Sequence, residues 1–193
     1  MPRIERASLM TLEAYARARP QFRAKVMAHK KDRTVHLDEH LTLMFEDELT
    51  IRYQIQEMLR AERIFEEAGI QEELDAYNPL VPDGRNLKAT MMLEYPDVQE
   101  RRSRLERLIG IEDKTWIQVE GFDRVWAIAD EDLERENERK TSSVHFLRFE
   151  LSDEMAGALK AGAGLAIGVE HPHYAVQLRA PAAVRDALTR DLA

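Results

Sequence analysis

"TWIQVEGFDRVWAIAD", residues 115–130, decides the fold class of this chain. Two runs rich in β-branched and aromatic residues flank Glu120-Gly121-Phe122-Asp123, and runs joined by so short a glycine-containing turn pair as an antiparallel hairpin. A parallel pairing would need a crossover of a dozen or more residues, usually a helix. The same local signals recur outward from the hairpin. Downstream, "VHFLRFEL" (144–151) reads as a strand, expected in the hairpin's own sheet, and "SDEMAGALKAGA" (152–163) as a helix capped by Ser152. "GLAIGVEHPHYAVQLRA" (164–180) forms a last strand pair, and Pro181 opens a terminal helix. The polar "EDLERENERKTSS" (131–143) has a like-charge start and no apolar stripe, which predicts a solvated helix or loop. Upstream, "RTVHLDEHLTLMFED" (33–47) is a hairpin, "LKATMMLEY" (87–95) a strand, and Pro96–Ile109 an amphipathic helix ended by Gly110. "NPLVPDG" (78–84) is a loop by its two prolines and its Asp-Gly. "SLMTLEAYARARPQFRAKVMAHKK" (8–31) predicts two short helices, because Pro20 clashes inside one helix but fits the first turn of a second. Strands outnumber the helical crossovers a parallel sheet requires. The reading is therefore α+β, with a mainly antiparallel sheet and packed helices, in one domain spanning residues 1–193.

The longest helix is predicted over about 47–68, in "FEDELTIRYQIQEMLRAERIFEE" (45–67), with Gly69 as its stop. Ile51, Ile55, Met58, Glu62 and Phe65 then project on one side, so Glu62 falls in the middle of an apolar stripe. A buried carboxylate must be paired or protonated, and Arg148 or Arg23 is the expected partner. The sharper alternative aims Glu62 into a pocket that binds a ligand or metal. Tyr53, Glu57, Arg60 and Ile64 share the opposite side, where a flat amphipathic ring, a charge and a guanidinium fork suit a docking face or a pocket wall. An ordinary solvated face explains the glutamate and arginine equally well. A helix contacted from two sides belongs in a layered domain or at a subunit interface, which admits a homo-oligomer.

Composition removes several classes of function. Lys and Arg number 28 against 36 Asp and Glu, a formal charge of -8, which opposes a general phosphate-tracking surface and so nucleic-acid binding. The start "MPRIERASLM" has no apolar signal-like core, and no run is long enough to span a membrane, so a cytoplasmic protein is expected. With no cysteine the chain forms no disulfide, thiolate zinc site or iron–sulfur cluster of its own. Histidine and carboxylate ligands still admit a divalent metal. His171 and His173 in "HPH" sit at the spacing that metal sites use on strands, although a loop with two polar residues looks the same. His145, alone in its strand, is a candidate for a pocket with Glu57 or Glu62, Arg60 and Tyr53. No phosphate-binding loop, dinucleotide fingerprint, nucleophile elbow, H-E-x-x-H or helical Glu-x-x-His pair is present.

"MAHKKDRTVHL" (27–37), "LMFEDELTIRYQIQEMLRAERIFEE" (43–67), "LDAYNPLVPDGRNLKATMMLEYPD" (74–97) and "KTSSVHFLRFEL" (140–151) resemble the bacterial domain-of-unknown-function family 3501 over nearly the whole chain. The family has no established activity. Its genes often neighbour those of rubrerythrin-like proteins and cysteine-rich iron–sulfur oxidoreductases, so the resemblance implies an accessory or partner role in such a redox system. Any cluster would then sit on the partner.

Overall fold

The computed structural model describes residues 3–131 and 140–193. Most of "EDLERENERKTSS" therefore lies outside the described residues. Among the described residues six α-helices accompany two antiparallel sheets: α1 (Leu12–Lys31), α2 (Glu48–Ala61), α3 (Glu67–Tyr77), α4 (Val98–Arg107), α5 (Asp153–Lys160) and α6 (Ala182–Leu188). The strands are β1 (Thr34–His36), β2 (Leu41–Glu46), β3 (Asn86–Leu93), β4 (Thr115–Val119), β5 (Arg124–Trp126), β6 (Ile128–Ala129), β7 (Val144–Glu150), β8 (Leu165–His171) and β9 (Tyr174–Arg179). One sheet runs in the order β1-β2-β3-β7-β6, the other β5-β4-β8-β9.

The opening stretch is what joins them. β5 pairs with β4, Trp126 opposite Trp116, as the hairpin signal requires. At the buried Ala127 the chain leaves that sheet, and Ile128 and Ala129 pair instead with Arg148 and Leu147 of β7. The expectation of one sheet holding the whole hairpin and strand 144–151 is thus corrected: only the end of the stretch, Ile128 to Asp130, joins β7. Local pattern fixes the turn, but nothing local says which sheet a strand's end will enter. The inward residues of both sheets, among them Phe45, Leu87, Phe149, Ile117 and Ile167, meet in one apolar core that Leu105 of α4, Leu159 of α5 and Leu188 of α6 help to close. A second cluster gathers Ile51, Ile55 and Leu59 of α2 with Ile70 and Leu74 of α3 and Ile4.

Two helix expectations are also corrected. Residues 12–31 form one helix with Pro20 inside it, not two. Tyr15 and Val26, on either side of Pro20, are both completely buried. Their burial outweighs the hydrogen bond that proline removes. α2 ends at Ala61, not 68. Arg63 takes a left-handed φ of 56°, Ile64 N–H donates to Leu59 O at 2.9 Å and Arg63 N–H to Arg60 O at 3.4 Å. That is a Schellman stop, completed by Ile64 packing on the cluster that holds Leu59. Glycine usually occupies this position; here Arg63 does. Gly69 lies inside α3, where a Cβ would come within 2.8 Å of Ile64 Cγ2, so its role is close approach rather than termination. The start of α2 is a capping box, with Asp47 accepting from Thr50 N–H and Thr50 Oγ1 accepting from Asp47 N–H.

A buried ionic knot ties the C-terminal segment to α1 and α2. Arg33, 1% exposed, donates to both oxygens of Asp191, with contacts of 3.0 and 2.5 Å, and lies 3.2 Å from Asp47, which His29 Nε2 also meets at 2.5 Å. Burial pushes the Asp191 carboxyl up to about 6, outweighing the pull of Arg33.

Candidate metal centre

Three elements distant in sequence converge beside the junction of the two sheets. β7 carries His145 on its core side, fully buried. Asp130 follows β6 with a left-handed φ of 47°, a conformation that a non-glycine residue holds only where its surroundings impose it. Its backbone N–H donates to Phe146 O and its Oδ1 accepts from Phe146 N–H, both at 2.9 Å, which turns the carboxylate toward the imidazole. Glu112, 5% exposed, begins the short 3-10 turn that leads into β4.

The imidazole is held from both ends. Nδ1 lies 2.5 Å from Asp130 Oδ2. Nε2 lies 2.9 Å from Thr141 Oγ1, 3.1 Å from the Ser142 carbonyl oxygen and 3.7 Å from Glu112 Oε2. Thr141 Oγ1 in turn sits 3.5 Å from Glu112 Oε2. Glu112, Asp130 and His145 place one ligand atom each within 4.8 Å of one another. Both carboxylates make further interactions, so the interest of the cluster is its spacing and not a free valence. Burial lowers the basicity of His145, but the hydrogen bond to Asp130 and the charges of Glu112 and Asp130 more than restore it, and its pKa is raised. Chemically the cluster can hold a proton strongly or exchange it for a cation.

The residues singled out in the sequence do not assemble around α2. Glu62 is the exposed cap of that helix, which corrects its expected burial; shortening the helix at Ala61 takes it out of the apolar stripe. Phe65, 72% exposed, leaves the stripe for the same reason. Tyr53 and Glu57 face α1. Tyr53 is buried against Phe22 with ring centroids 6.1 Å apart. Glu57 accepts from Arg19 at 2.7 and 2.9 Å and from Tyr15 Oη at 2.6 Å, and Arg19 with these contacts holds its carboxyl down at about 2. Arg60 is exposed. His145 has its partners on β6, on the turn before β4 and at 141–142. His171 lies at the end of β8 and accepts at Nδ1 from the His173 backbone N–H, while its Nε2 donates to Ile109 O at 3.0 Å. Both nitrogens of His171 are therefore engaged within the protein.

The sequence reading named His145 but missed Glu112 and Asp130. Neither carries a local signal, since they lie 33 and 15 residues from the histidine and meet it only through sheet pairing. On the opposite side of β7, Phe146 and Arg148 line a cleft of about 170 Å³ with Leu80 and Lys88. Arg148 is paired there with Glu131 and Glu150.

A family model described as "Protein of unknown function (DUF3501)" matches residues 3–192. The chain belongs to this family. A crystal structure of a protein of unknown function from Burkholderia pseudomallei is 57% identical, covers 100% of both chains and superposes with a TM-score of 0.95. No curated protein matches the sequence. No helix among the described residues is long and apolar enough to cross a membrane.

Proposed function

We propose that this protein binds one divalent ion of the zinc, manganese or iron(II) class at His145, with Glu112 as the carboxylate ligand and Asp130 fixing the ring. The observation that carries this is the spacing around His145 Nε2. Ligands bound at about 2.1 Å from an ion stand roughly 3.0–3.5 Å from each other, in tetrahedral or octahedral geometry. Thr141 Oγ1 at 2.9 Å, the Ser142 carbonyl at 3.1 Å and Glu112 Oε2 at 3.7 Å bracket that range. Asp130 on Nδ1 completes the carboxylate–histidine arrangement that orients metal-bound imidazoles. An imidazole with oxygen donors suits those three ions, and without cysteine the softer thiolate sites are excluded.

The raised pKa of His145 favours one competing state, an imidazolium clamped between two carboxylates. Metal analysis of protein purified without a histidine tag, with calorimetric titration of Zn²⁺ and Mn²⁺ into chelator-treated protein, separates the two. The metal reading expects near-stoichiometric binding that releases protons, weakens as pH falls and is lost in Glu112→Gln. Chelator-treated protein that takes up neither ion at neutral pH leaves only the imidazolium. Alongside this, we infer an accessory role in a reducing compartment, next to a rubrerythrin-like or iron–sulfur oxidoreductase. Its support is the family resemblance and the lack of cysteine. Affinity capture that recovers no such oxidoreductase from cells expressing both would remove it.

A further inference from the structure

The four-stranded sheet turns one face to the core, and no element among the described residues packs on the other. On the open face the register lines up Trp126, Trp116, Gly168 and Gln177 across β5, β4, β8 and β9. These are both tryptophans of the chain. Trp116 is only 2% exposed although no helix among the described residues packs on its face, because two neighbours close around it. Gly168 has no side chain, and a Cβ there would lie 2.5 Å from Trp116 Cζ2 and 2.8 Å from Cε2, so the indole rests directly on β8. Arg124 lies across the ring, its guanidinium carbon 4.1 Å from the centroid, and reaches over it to an ion pair with Glu170.

The arrangement leaves a buried donor unused. Trp116 Nε1–H has no hydrogen-bond partner among the described residues, and Nε1 is bonded to Cε2, one of the two ring atoms that lie over Gly168. A buried N–H without an acceptor costs free energy that a suitable ligand atom would recover. Trp116 also lines a depression of about 340 Å³ with Arg124, Glu170, Ala175 and Gln177. Its charges cancel in pairs, Arg124 with Glu170 here and Arg179 with Glu120 farther along the same face. A charged ligand would have to break one of these pairs; a neutral one rich in hydroxyls can use both members at once. A flat aromatic ring beside planar, forked hydrogen-bonding groups matches the alternating apolar face and hydroxyl rim of a pyranose.

We propose that this open face binds a neutral sugar. The sugar enters the depression beside the indole, where one of its oxygens accepts from Nε1–H in the plane of the ring, and a second part of it with an apolar face, such as the next ring of a disaccharide, packs where Arg124 now lies. Arg124, Glu170 and Gln177 take the hydroxyls. The ion pair that holds Arg124 is solvent-exposed, with Arg124 36% and Glu170 62% accessible at the side chain, so the guanidinium swings aside at little cost. This site shares no residue with the proposed metal centre and stands or falls separately.

The test uses the full chain carrying Trp126→Phe, which leaves Trp116 as the sole indole, with emission followed during titration of maltose, N-acetylglucosamine, glucose and glucose 6-phosphate. The proposal expects a saturable change with maltose or N-acetylglucosamine below about 50 mM, weakened roughly tenfold or more by Glu170→Gln combined with Gln177→Ala. Glu170 and Gln177 are both exposed, and an unchanged melting temperature confirms that the variant folds. Gly168→Ala, which must lift the indole off β8, is expected to abolish the response. No saturable change with either neutral sugar, an equal response in the folded double variant, or tighter binding of glucose 6-phosphate than of glucose would each overturn it.

Discussion

Replacing Asp191 tests the buried ionic knot in two ways at once. Arg33 is 1% exposed and gives both faces of its fork to Asp191, keeping only Asp47 at 3.2 Å as a second anion. Truncation to alanine leaves a buried guanidinium with half its compensation. Breaking such a pair costs about 3–5 kcal/mol, and the remaining Asp47 puts Asp191→Ala at the lower end, about 3 kcal/mol at pH 7. Asp191→Asn keeps the shape and should cost less, but it removes the titration. The carboxyl's pKa is about 6 when folded against a reference of 3.8. A raised acid binds its proton more readily in the folded state, so its stabilising contribution is complete below the unfolded value and disappears as pH rises through 6. At 1.36 kcal/mol per pKa unit the full effect is about 3 kcal/mol, of which the native protein should gain roughly 2.5 kcal/mol on going from pH 7 to pH 4 through this group alone, and Asp191→Asn should lack that gain. Urea unfolding of the three proteins at intervals across pH 4–7 reads both effects. Native and asparagine curves that run parallel, or an alanine variant within about 1 kcal/mol of native at pH 7, would refute the reasoning.

Glu62→Ala should change stability by no more than about 0.5 kcal/mol, because the side chain is exposed beyond the end of α2; a loss of several kcal/mol in urea unfolding would restore its burial. Arg63→Gly should be neutral or stabilising by up to about 1 kcal/mol, since glycine adopts the φ of 56° without the Cβ clash. A clear drop in melting temperature would mean that the arginine side chain contributes more than its backbone strain costs.

What was legible in the sequence was whatever a few adjacent residues decide. Ser152 caps α5 by accepting from Met155 N–H as its position predicts, and the turns at 120–123 and 172–173 close the hairpins that their flanking runs announced. Where a longer-range contact competes with a local rule, the local rule loses. Pro20 should break α1, yet the buried Tyr15 and Val26 hold the helix through it. Gly69 should stop α2, yet Ile64 docking beside Leu59 stops it six residues earlier through an arginine. Errors of helix length then propagate to side-chain placement, which is how Glu62 came to be read as buried. The histidine–carboxylate cluster was invisible for a different reason. His145, Asp130 and Glu112 are brought together by the pairing of β6 with β7 and by the turn before β4, and no periodicity encodes that meeting.

The passage of one strand through Ala127 into a second sheet also fixes how the gene can vary. Trp126 and Asp130 are four residues apart, about 13 Å of extended chain; Trp126 pairs in one sheet and Asp130 hydrogen-bonds to Phe146 of the other. One codon inserted or deleted between them would invert the inward and outward faces of Ile128 and Ala129 and carry the Asp130 carboxylate away from His145. Substitutions can accumulate along this segment only while its length stays constant.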